Sequence, residues 1–276
     1  MNRLQLKKQL EHFFIEDLGY RDLTTDSIFD NRLGEVKFIS KSDSYFCGQD
    51  VIKTGFHTMN PQIEVQLSVQ DGDPINQGQT LAHAKGPIKD LLQAERVVLN
   101  LVQRMSGITT KTKIAVQLLN SQHTKISDTR KTTPGLRMLE KYAVTQGGGI
   151  NHRFRLDDAV MIKDNHINFC GSISEAVKKV RENVGHMVKI EVEAENEPQV
   201  KEAIEAEVDC ILLDNMDPND LPNLLQLIPE SILTEASGGI SLEDLPKYTN
   251  LDLDVISLGC LTHQIEALDI SVEVNL

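Results

Sequence analysis

TKISDT (124–129), AVMIKDN (159–165), MVKIEVE (187–193), VDCILLD (208–214), SILTEAS (231–237) and LDVISLG (253–259) recur along the second half of this 276-residue chain. Each is short and rich in Val, Ile or Leu, as expected of strands buried on both faces of a sheet. Between them lie stretches with helical spacing, such as SISEAVKKVREN (172–183), where Ser172 is a candidate N-cap, and EPQVKEAIEAE (197–207). A series of βα units predicts a parallel sheet. A closed α/β barrel is the favoured form of that sheet, and a doubly wound open sheet is the alternative.

Working back from there, the pattern changes. Residues 87–121 carry little Gly or Pro and read as long helices, beginning at PIKDLLQAERVVLNLVQRM (87–105). In that stretch Leu92, Val98, Leu99, Leu101, Val102 and Met105 make an apolar surface, with Arg96 on the same helix. Earlier still, EVKFIS (35–40), EVQLSV (64–69) and QTLAHA (79–84) read as strands separated by turn clusters such as Asp71-Gly72-Asp73-Pro74. Residues 3–18 carry Leu4, Leu6, Leu10, Phe13, Phe14 and Leu18 at helical spacing. The tail DISVEVNL (269–276) reads as one more strand, returning to pair with the N-terminal sheet.

Hydrophobic residues at 40% and charged residues at 25% are normal for a globular protein with a sizeable core. No apolar run approaches the roughly 20 residues that cross a membrane, and MNRLQLKKQLEHFF at the start lacks the apolar core of a signal peptide. Cys47, Cys170, Cys210 and Cys260 form no CxxC pair and are expected to be free thiols in a reducing, cytoplasmic setting, which sets zinc and disulfide readings aside. A net charge of −13 argues against nucleic acid as a partner. Against that background the window from Asp128 to His166 holds seven Lys/Arg and five Asp/Glu. A basic pocket in an acidic protein suggests a small anionic substrate.

Polar residues at the strand ends locate that pocket. The six runs end, in order, in Asp128-Thr129-Arg130-Lys131; in Lys163-Asp164-Asn165-His166; in Glu191 and Glu193; in Asp214-Asn215; in Glu235 and Ser237-Gly238-Gly239; and in Gly259, with His263 just beyond. Barrel active sites collect at the C-terminal strand ends. Glu191 and Glu193, two residues apart, share a strand face, and with Asp214 they could hold a divalent metal through oxygen ligands or form a salt-bridged rim. His152 and Arg153 follow Gly147-Gly148-Gly149, which frees the backbone for close approach. The Ser237-Gly238-Gly239 turn suits phosphate, with its backbone N–H groups converging on an anion.

DTRKTTPGLR (128–137), GGGINHRFRL (147–156), VMIKDNH (160–166), EVEAEN (191–196), ILLDNM (211–216), EASGGI (235–240) and ISLGCLTH (256–263) together resemble the ordered motifs of the quinolinate phosphoribosyltransferases. DLTTD (22–26) and AERVVLNLVQRMSGIT (94–109) extend the resemblance over essentially the full chain. It implies a mixed α/β N-terminal domain over 1–110 and an incomplete parallel α/β barrel over 111–266, with strand 267–276 returning to the first. It implies attack of the quinolinate nitrogen on phosphoribosyl pyrophosphate with Mg²⁺ assistance. Loss of the 2-carboxylate as CO₂ then gives nicotinate mononucleotide and pyrophosphate for NAD biosynthesis. By the same resemblance Arg130, His152, Arg153 and Lys163 hold the substrate carboxylates, and Arg96 is supplied by the other subunit of a homodimer with shared sites. Lys131 contacts the phosphoribosyl side, and Ser237, Gly238, Gly259 and His263 cradle the 5′-phosphate. Glu193 and Asp214 serve the ribose and the metal, directly or through water or substrate; with Lys163 they form the catalytic set.

Three other readings compete. A paralogue of the same fold could take another anionic ring, but the retained Arg96, Arg130, Arg153 and Lys163 favour a dicarboxylate. A Schiff-base aldolase could use Lys163, but neighbouring Asp164 and His166 are expected to keep that amine protonated. DGDPINQGQTLAHAKG (71–86) resembles the glycine turns of carrier domains but has no lysine at a hairpin tip, so it reads as scaffold.

Overall fold

The computed structural model describes residues 1–30 and 32–275. Asn31, inside the expected 1–110 domain, and Leu276, the end of the expected 267–276 strand, lie outside the described residues. In chain order the elements are α1 (Arg3–Leu18), α2 (Leu23–Ile28), β1 (Leu33–Ser40), β2 (Ser44–Tyr45), α3 (Gln49–Met59), β3 (Glu64–Leu67), β4 (Pro74–Ile75), β5 (Thr80–Pro87) and α4 (Ile88–Leu119). They continue as β6 (Lys125–Ser127), α5 (Arg137–Gln146), β7 (Val160–Ile162), α6 (Asp164–Cys170), α7 (Ile173–Asn183), β8 (Ile190–Ala194), α8 (Glu197–Glu205), β9 (Cys210–Asp214) and α9 (Leu221–Leu225). The last are β10 (Leu233–Ser237), a 3₁₀ turn (Leu242–Tyr248), β11 (Val255–Ser257), α10 (Cys260–His263) and β12 (Ile270–Asn275).

The chain divides into two compact units. One takes Met1–Lys111, Met138–Gly147 and the chain from Ile265 on; the other takes Thr112–Arg137 and Gly148–Gln264. In the first, strand order β12-β1-β5-β3 makes an antiparallel sheet. β1 alternates, burying Val36 and Phe38 on one face, and Phe38 meets Phe56 of α3 edge-on at 5.9 Å. α1 buries Leu6, Leu10 and Phe14, spaced by one turn each, while Leu4 stays exposed. Residues 71–86 supply β5, paired on both sides within this sheet, in keeping with the scaffold reading. α5 docks on this unit too: Arg104 and the buried Glu140 pair at 2.8 Å, and Thr109 Oγ1 donates to the Ala143 carbonyl.

Residues 88–119 form one helix of 32 residues rather than several. Its apolar residues correct the expectation of an outward-facing stripe. Val98, Leu99, Leu101, Val102 and Met105 are all buried within the chain, Leu92 being only half-buried. Arg96 and Asn100 occupy the exposed side.

In the second unit six parallel strands run in the order β6-β11-β10-β9-β8-β7. The chain steps from neighbour to neighbour from β7 to β11, and β11 then pairs with the first strand, β6. A doubly wound sheet would reverse direction part-way. This order is a barrel left open between β6 and β7. No helix among the described residues is long and apolar enough to cross a membrane, and all four cysteines are free.

Gly107, inside α4, shows how tightly the first unit is closed. A Cβ there would lie 2.2 Å from the Glu266 carbonyl oxygen, in the segment where Leu268 N donates to the Gln103 carbonyl at 3.0 Å. Alanine ordinarily stabilises a helix relative to glycine by roughly 0.5–1 kcal/mol. Here the clash with backbone reverses the sign. Gly107→Ala is expected to lose about 1–3 kcal/mol in urea unfolding, as other overpacked substitutions do; a gain would show that the 265–269 segment yields freely.

Candidate active site

The C-terminal ends of the barrel strands open into one cavity of about 360 Å³. Its wall takes Thr129, Arg130 and Lys131 after β6, His152 and Arg153 from the loop beyond the triple glycine, and Met161 and Lys163 at β7. It continues with Glu193 on β8, Leu212, Asp214 and Asn215 on β9, Glu235 and Ser237–Gly239 on β10, and Ser257 on β11. Every strand of the barrel therefore contributes, as the pile-up of polar strand ends predicts.

Local anchors fix the two cationic loops. Asp128, fully buried, accepts hydrogen bonds from Asn151 Nδ2 (2.6 Å) and from the His152 backbone N–H (2.9 Å). Ile150 forms a single parallel bridge to Ser127, bringing the 150–153 loop beside β6. The Arg153 guanidinium donates to the Ala159 carbonyl at 2.8 Å. Lys131 is held through its backbone: Thr262 Oγ1 donates to its carbonyl at 2.7 Å. Burial pulls the Arg153 pKa down, and Arg130 beside it pulls the same way, so these two cations are held together against their repulsion. An anion placed there relieves that repulsion.

The acids face these cations. Lys163 is ion-paired with Glu193 of the next strand. The acid beside the Lys163 ammonium is thus Glu193 rather than the sequence neighbours Asp164 and His166 expected to keep it protonated; His166 instead accepts the Lys163 backbone N–H through Nδ1 at 2.9 Å. Asp214 is raised from the usual carboxylate value by desolvation, with Lys163 and Lys131 opposing, and accepts from Asn215 Nδ2 at 2.6 Å.

Deeper in the barrel, Glu191 and Glu235 are buried on strands whose alternate residues, Ile190, Val192 and Ala194 on β8 and Thr234 and Ala236 on β10, are buried as well. Glu191 Oε2 lies 3.0 Å from His152 Nε2, and Glu235 Oε1 lies 3.7 Å from the same nitrogen without a hydrogen-bond partner. Burial, then the charge of Glu191, pushes Glu235 up to about 7. Among the described residues these three form the only group of His, Cys, Asp or Glu side chains with ligand atoms within 4.8 Å of one another. Glu193 and Asp214 are not part of it. Sequence reading named Glu235 among the polar strand ends but gave it no role in the site. Its signal is a carboxylate in the middle of an otherwise buried strand.

At the other end of the cavity, Gly238 has φ +95° and Gly239 +63°. A Cβ on Gly238 would sit 2.3 Å from Asn215 Oδ1, so no other residue fits there. Gly259 packs against Lys131 and His263, each 3.0 Å from where its Cβ would stand. Arg130, Lys131, His152, Arg153, Lys163, Glu193, Asp214, Ser237 and Gly238 thus line one cavity, with Gly259 and His263 beside Lys131. Arg96 belongs to the other unit, is exposed and forms no ion pair among the described residues.

Residues 22–106 match the sequence model of the quinolinate phosphoribosyl transferase N-terminal domain, and residues 108–273 that of its C-terminal domain. The chain belongs to this family. It is 53% identical to a probable nicotinate-nucleotide pyrophosphorylase [carboxylating] of Bacillus subtilis, over all of this chain and 96% of that protein. A Synechocystis protein of the same description is 38% identical over 96% of this chain and 91% of its own length. Among solved structures, NadC from Streptococcus pyogenes superposes with a TM-score of 0.96 at 35% identity, covering 100% of this chain and 98% of that one. The mixed α/β plus open-barrel architecture is therefore that of the family.

Glu235 has a thermodynamic signature. Its folded pKa is raised from 4.5 to about 7, so its contribution to stability is intact below about pH 4.5 and is lost as pH rises through 7. At 1.36 kcal/mol per unit the loss is on the order of 3 kcal/mol. Glu235→Gln cannot ionise, so its stability relative to the parent should climb by about that amount between pH 4 and pH 8. A pH-independent difference in urea unfolding would show that Glu235 is not held neutral by burial.

Proposed function

We propose that this chain transfers the phosphoribosyl group of phosphoribosyl pyrophosphate to quinolinate with decarboxylation, giving nicotinate mononucleotide, pyrophosphate and CO₂. Family membership supports the reaction. The observation that carries the site assignment is the single cavity in which Arg130, Arg153 and Lys163 face Glu193 and Asp214. The cations match the two carboxylates of the ring, and Arg suits them because its fork can meet a carboxylate with two parallel hydrogen bonds. Carboxylates beside the ribose stabilise positive charge as it develops at the anomeric carbon while pyrophosphate departs.

The chemistry then runs on charge. The ring nitrogen bonds to the anomeric carbon and becomes a pyridinium. The C2–CO₂ bond breaks, its electron pair stays on C2 next to the positive nitrogen, and C2 takes a proton. Arg130, Arg153 and Lys163 orient the ring, and Lys131 with the Ser237–Gly239 turn and the Gly259–His263 segment receives phosphate oxygens. The two carboxylates fit Mg²⁺, which takes oxygen ligands and commonly binds through one or two acids plus substrate phosphates. Glu193 and Asp214 would hold it, and it would neutralise charge on the leaving pyrophosphate. Purified protein should consume quinolinate and release pyrophosphate only with phosphoribosyl pyrophosphate and Mg²⁺ present. Nicotinate, which leaves cations unpaired, should have kcat/KM at least about 100-fold lower. Equal turnover of the two acids would remove the reading.

The protein is proposed to act in the cytoplasm as a homodimer whose subunits exchange Arg96. Support comes from the exposure of Arg96 on α4 and from the family pattern around it; the apolar residues of that helix no longer add to it. Arg96→Ala and Lys163→Ala homodimers should each be nearly inactive. In a mixed dimer one site carries both lesions and the other is intact, so co-refolding should restore up to about half the activity per heterodimer. Confirmed subunit exchange without recovery would place Arg96 outside the partner's site.

A further inference from the structure

His152 stands at the junction of the cavity and a buried polar layer, and every polar atom it offers that layer is occupied. Its backbone N–H donates to Asp128 Oδ1 at 2.9 Å. Its Nδ1 accepts the Arg153 backbone N–H at 2.7 Å. Its Nε2 faces Glu191 Oε2 at 3.0 Å and Glu235 Oε1 at 3.7 Å. An imidazole that accepts at Nδ1 carries its proton on Nε2, where a carboxylate can receive it. A metal at Nε2 would need the opposite tautomer and would set the Nδ1 proton against the Arg153 N–H. The geometry therefore disfavours a metal centre and fits a strut.

We propose that Glu191 and Glu235 are positioning residues: Glu191 takes the His152 Nε2–H, Glu235 backs the same ring edge from 3.7 Å, and through Nδ1 of that ring they set the backbone of Arg153 so that the guanidinium meets the ring carboxylates. Two observations beyond the contacts favour this. Glu235 is 96% buried with Oε1 unpartnered and directed at the His152 ring, a costly arrangement that no packing requirement explains. Glu191 and Glu235 sit at inward positions where barrel strands normally carry branched apolar side chains. Neither acid needs to touch substrate. Each acts through His152, and loss of such an orienting partner commonly weakens binding 10–100-fold at metal sites.

This rests on the proposed reaction, and the experiment separates the two. Glu191→Ala and Glu235→Ala should raise KM for quinolinate about tenfold or more, with KM for phosphoribosyl pyrophosphate within about twofold of the parent. Glu191→Gln and Glu235→Gln keep an acceptor of the same shape, should fold if the alanine variants do not, and should recover most of the loss. Added to His152→Ala, which removes the strut, neither alanine change should raise quinolinate KM further. Equal effects on both substrates, an unchanged quinolinate KM in a folded variant, or additivity with His152→Ala would each overturn the proposal. A substrate-free readout stands beside these kinetics. In the ¹⁵N-histidine spectrum of the parent, His152 should be the Nε2–H tautomer and should change in Glu191→Ala. An Nδ1–H ring would overturn the proposal even if quinolinate is turned over. An Nε2–H ring in a protein that ignores quinolinate would sink the reaction and leave the strut standing.

Discussion

The pairing of the first barrel strand with the last is the contact on which the site depends. Lys125, Ile126 and Ser127 of β6 align with Val255, Ile256 and Ser257 of β11, and Leu258 N then donates to the Ser127 carbonyl. Parallel strands in register bring their C-terminal ends to one rim. That is why Lys131, which follows β6, meets Gly259 and Thr262, which follow β11, although some 130 residues of chain separate them. The same register lets Gly238 press against Asn215 at the ends of β10 and β9, where Asn215 itself takes a left-handed conformation with φ 54° and donates its N–H to the Ser237 carbonyl. A one-residue slip of β8 or β10 would turn the inward carboxylates of that strand outward and remove them from the cavity wall.

Charge inside that rim is arranged in layers. The upper layer pairs Lys163 with Glu193 and sets Asp214 among Lys131 and Lys163. Two arginines, Arg130 and Arg153, are left crowding each other. The lower layer is acidic: Asp128, Glu191 and Glu235 are all buried. Acids set below the cations attract the guanidinium groups toward the cavity floor. On the proposed reaction a dicarboxylate arriving above would complete the alternation, with substrate and floor on opposite sides of the cations.

Much of this was legible in the sequence because barrel strands confess their function at one end. Apolar runs closing on Asp-Thr-Arg-Lys or Lys-Asp-Asn-His carry both the fold and the site in the same residues, and the ordered motifs named the family from them. What could not be read depends on contacts distant in sequence. Lys163 looked as if it belonged with Asp164 and His166, yet strand pairing hands it to Glu193, thirty residues on. The apolar residues of α4 looked available for a partner because amphipathicity marks a face without saying what covers it. Their own chain buries them. Glu235 was visible only as a strand-end polar residue, because burial on the inner face of a barrel and proximity to Glu191 and His152 are properties of closure.

Glu235 also shows why such a site resists being read as a sum of stabilising contacts. A buried acid with an unpartnered oxygen works against folding, and an apolar residue of the same size would pack the barrel better. Stability lost at functional positions is ordinary, provided the remainder of the fold tolerates it. Here the surrounding shell is well filled: Ile190 and Val192 on β8, Ile211 and Leu213 on β9, and Ile256 on β11 beside β10 are buried with at most 1% exposure. Apolar residues and acids alternate along the same strands, the one set packing outward against the helices and the other pointing inward to the cavity. The twofold periodicity of the β-strand therefore lets a single short segment supply packing on one face and an acid-bearing interior on the other.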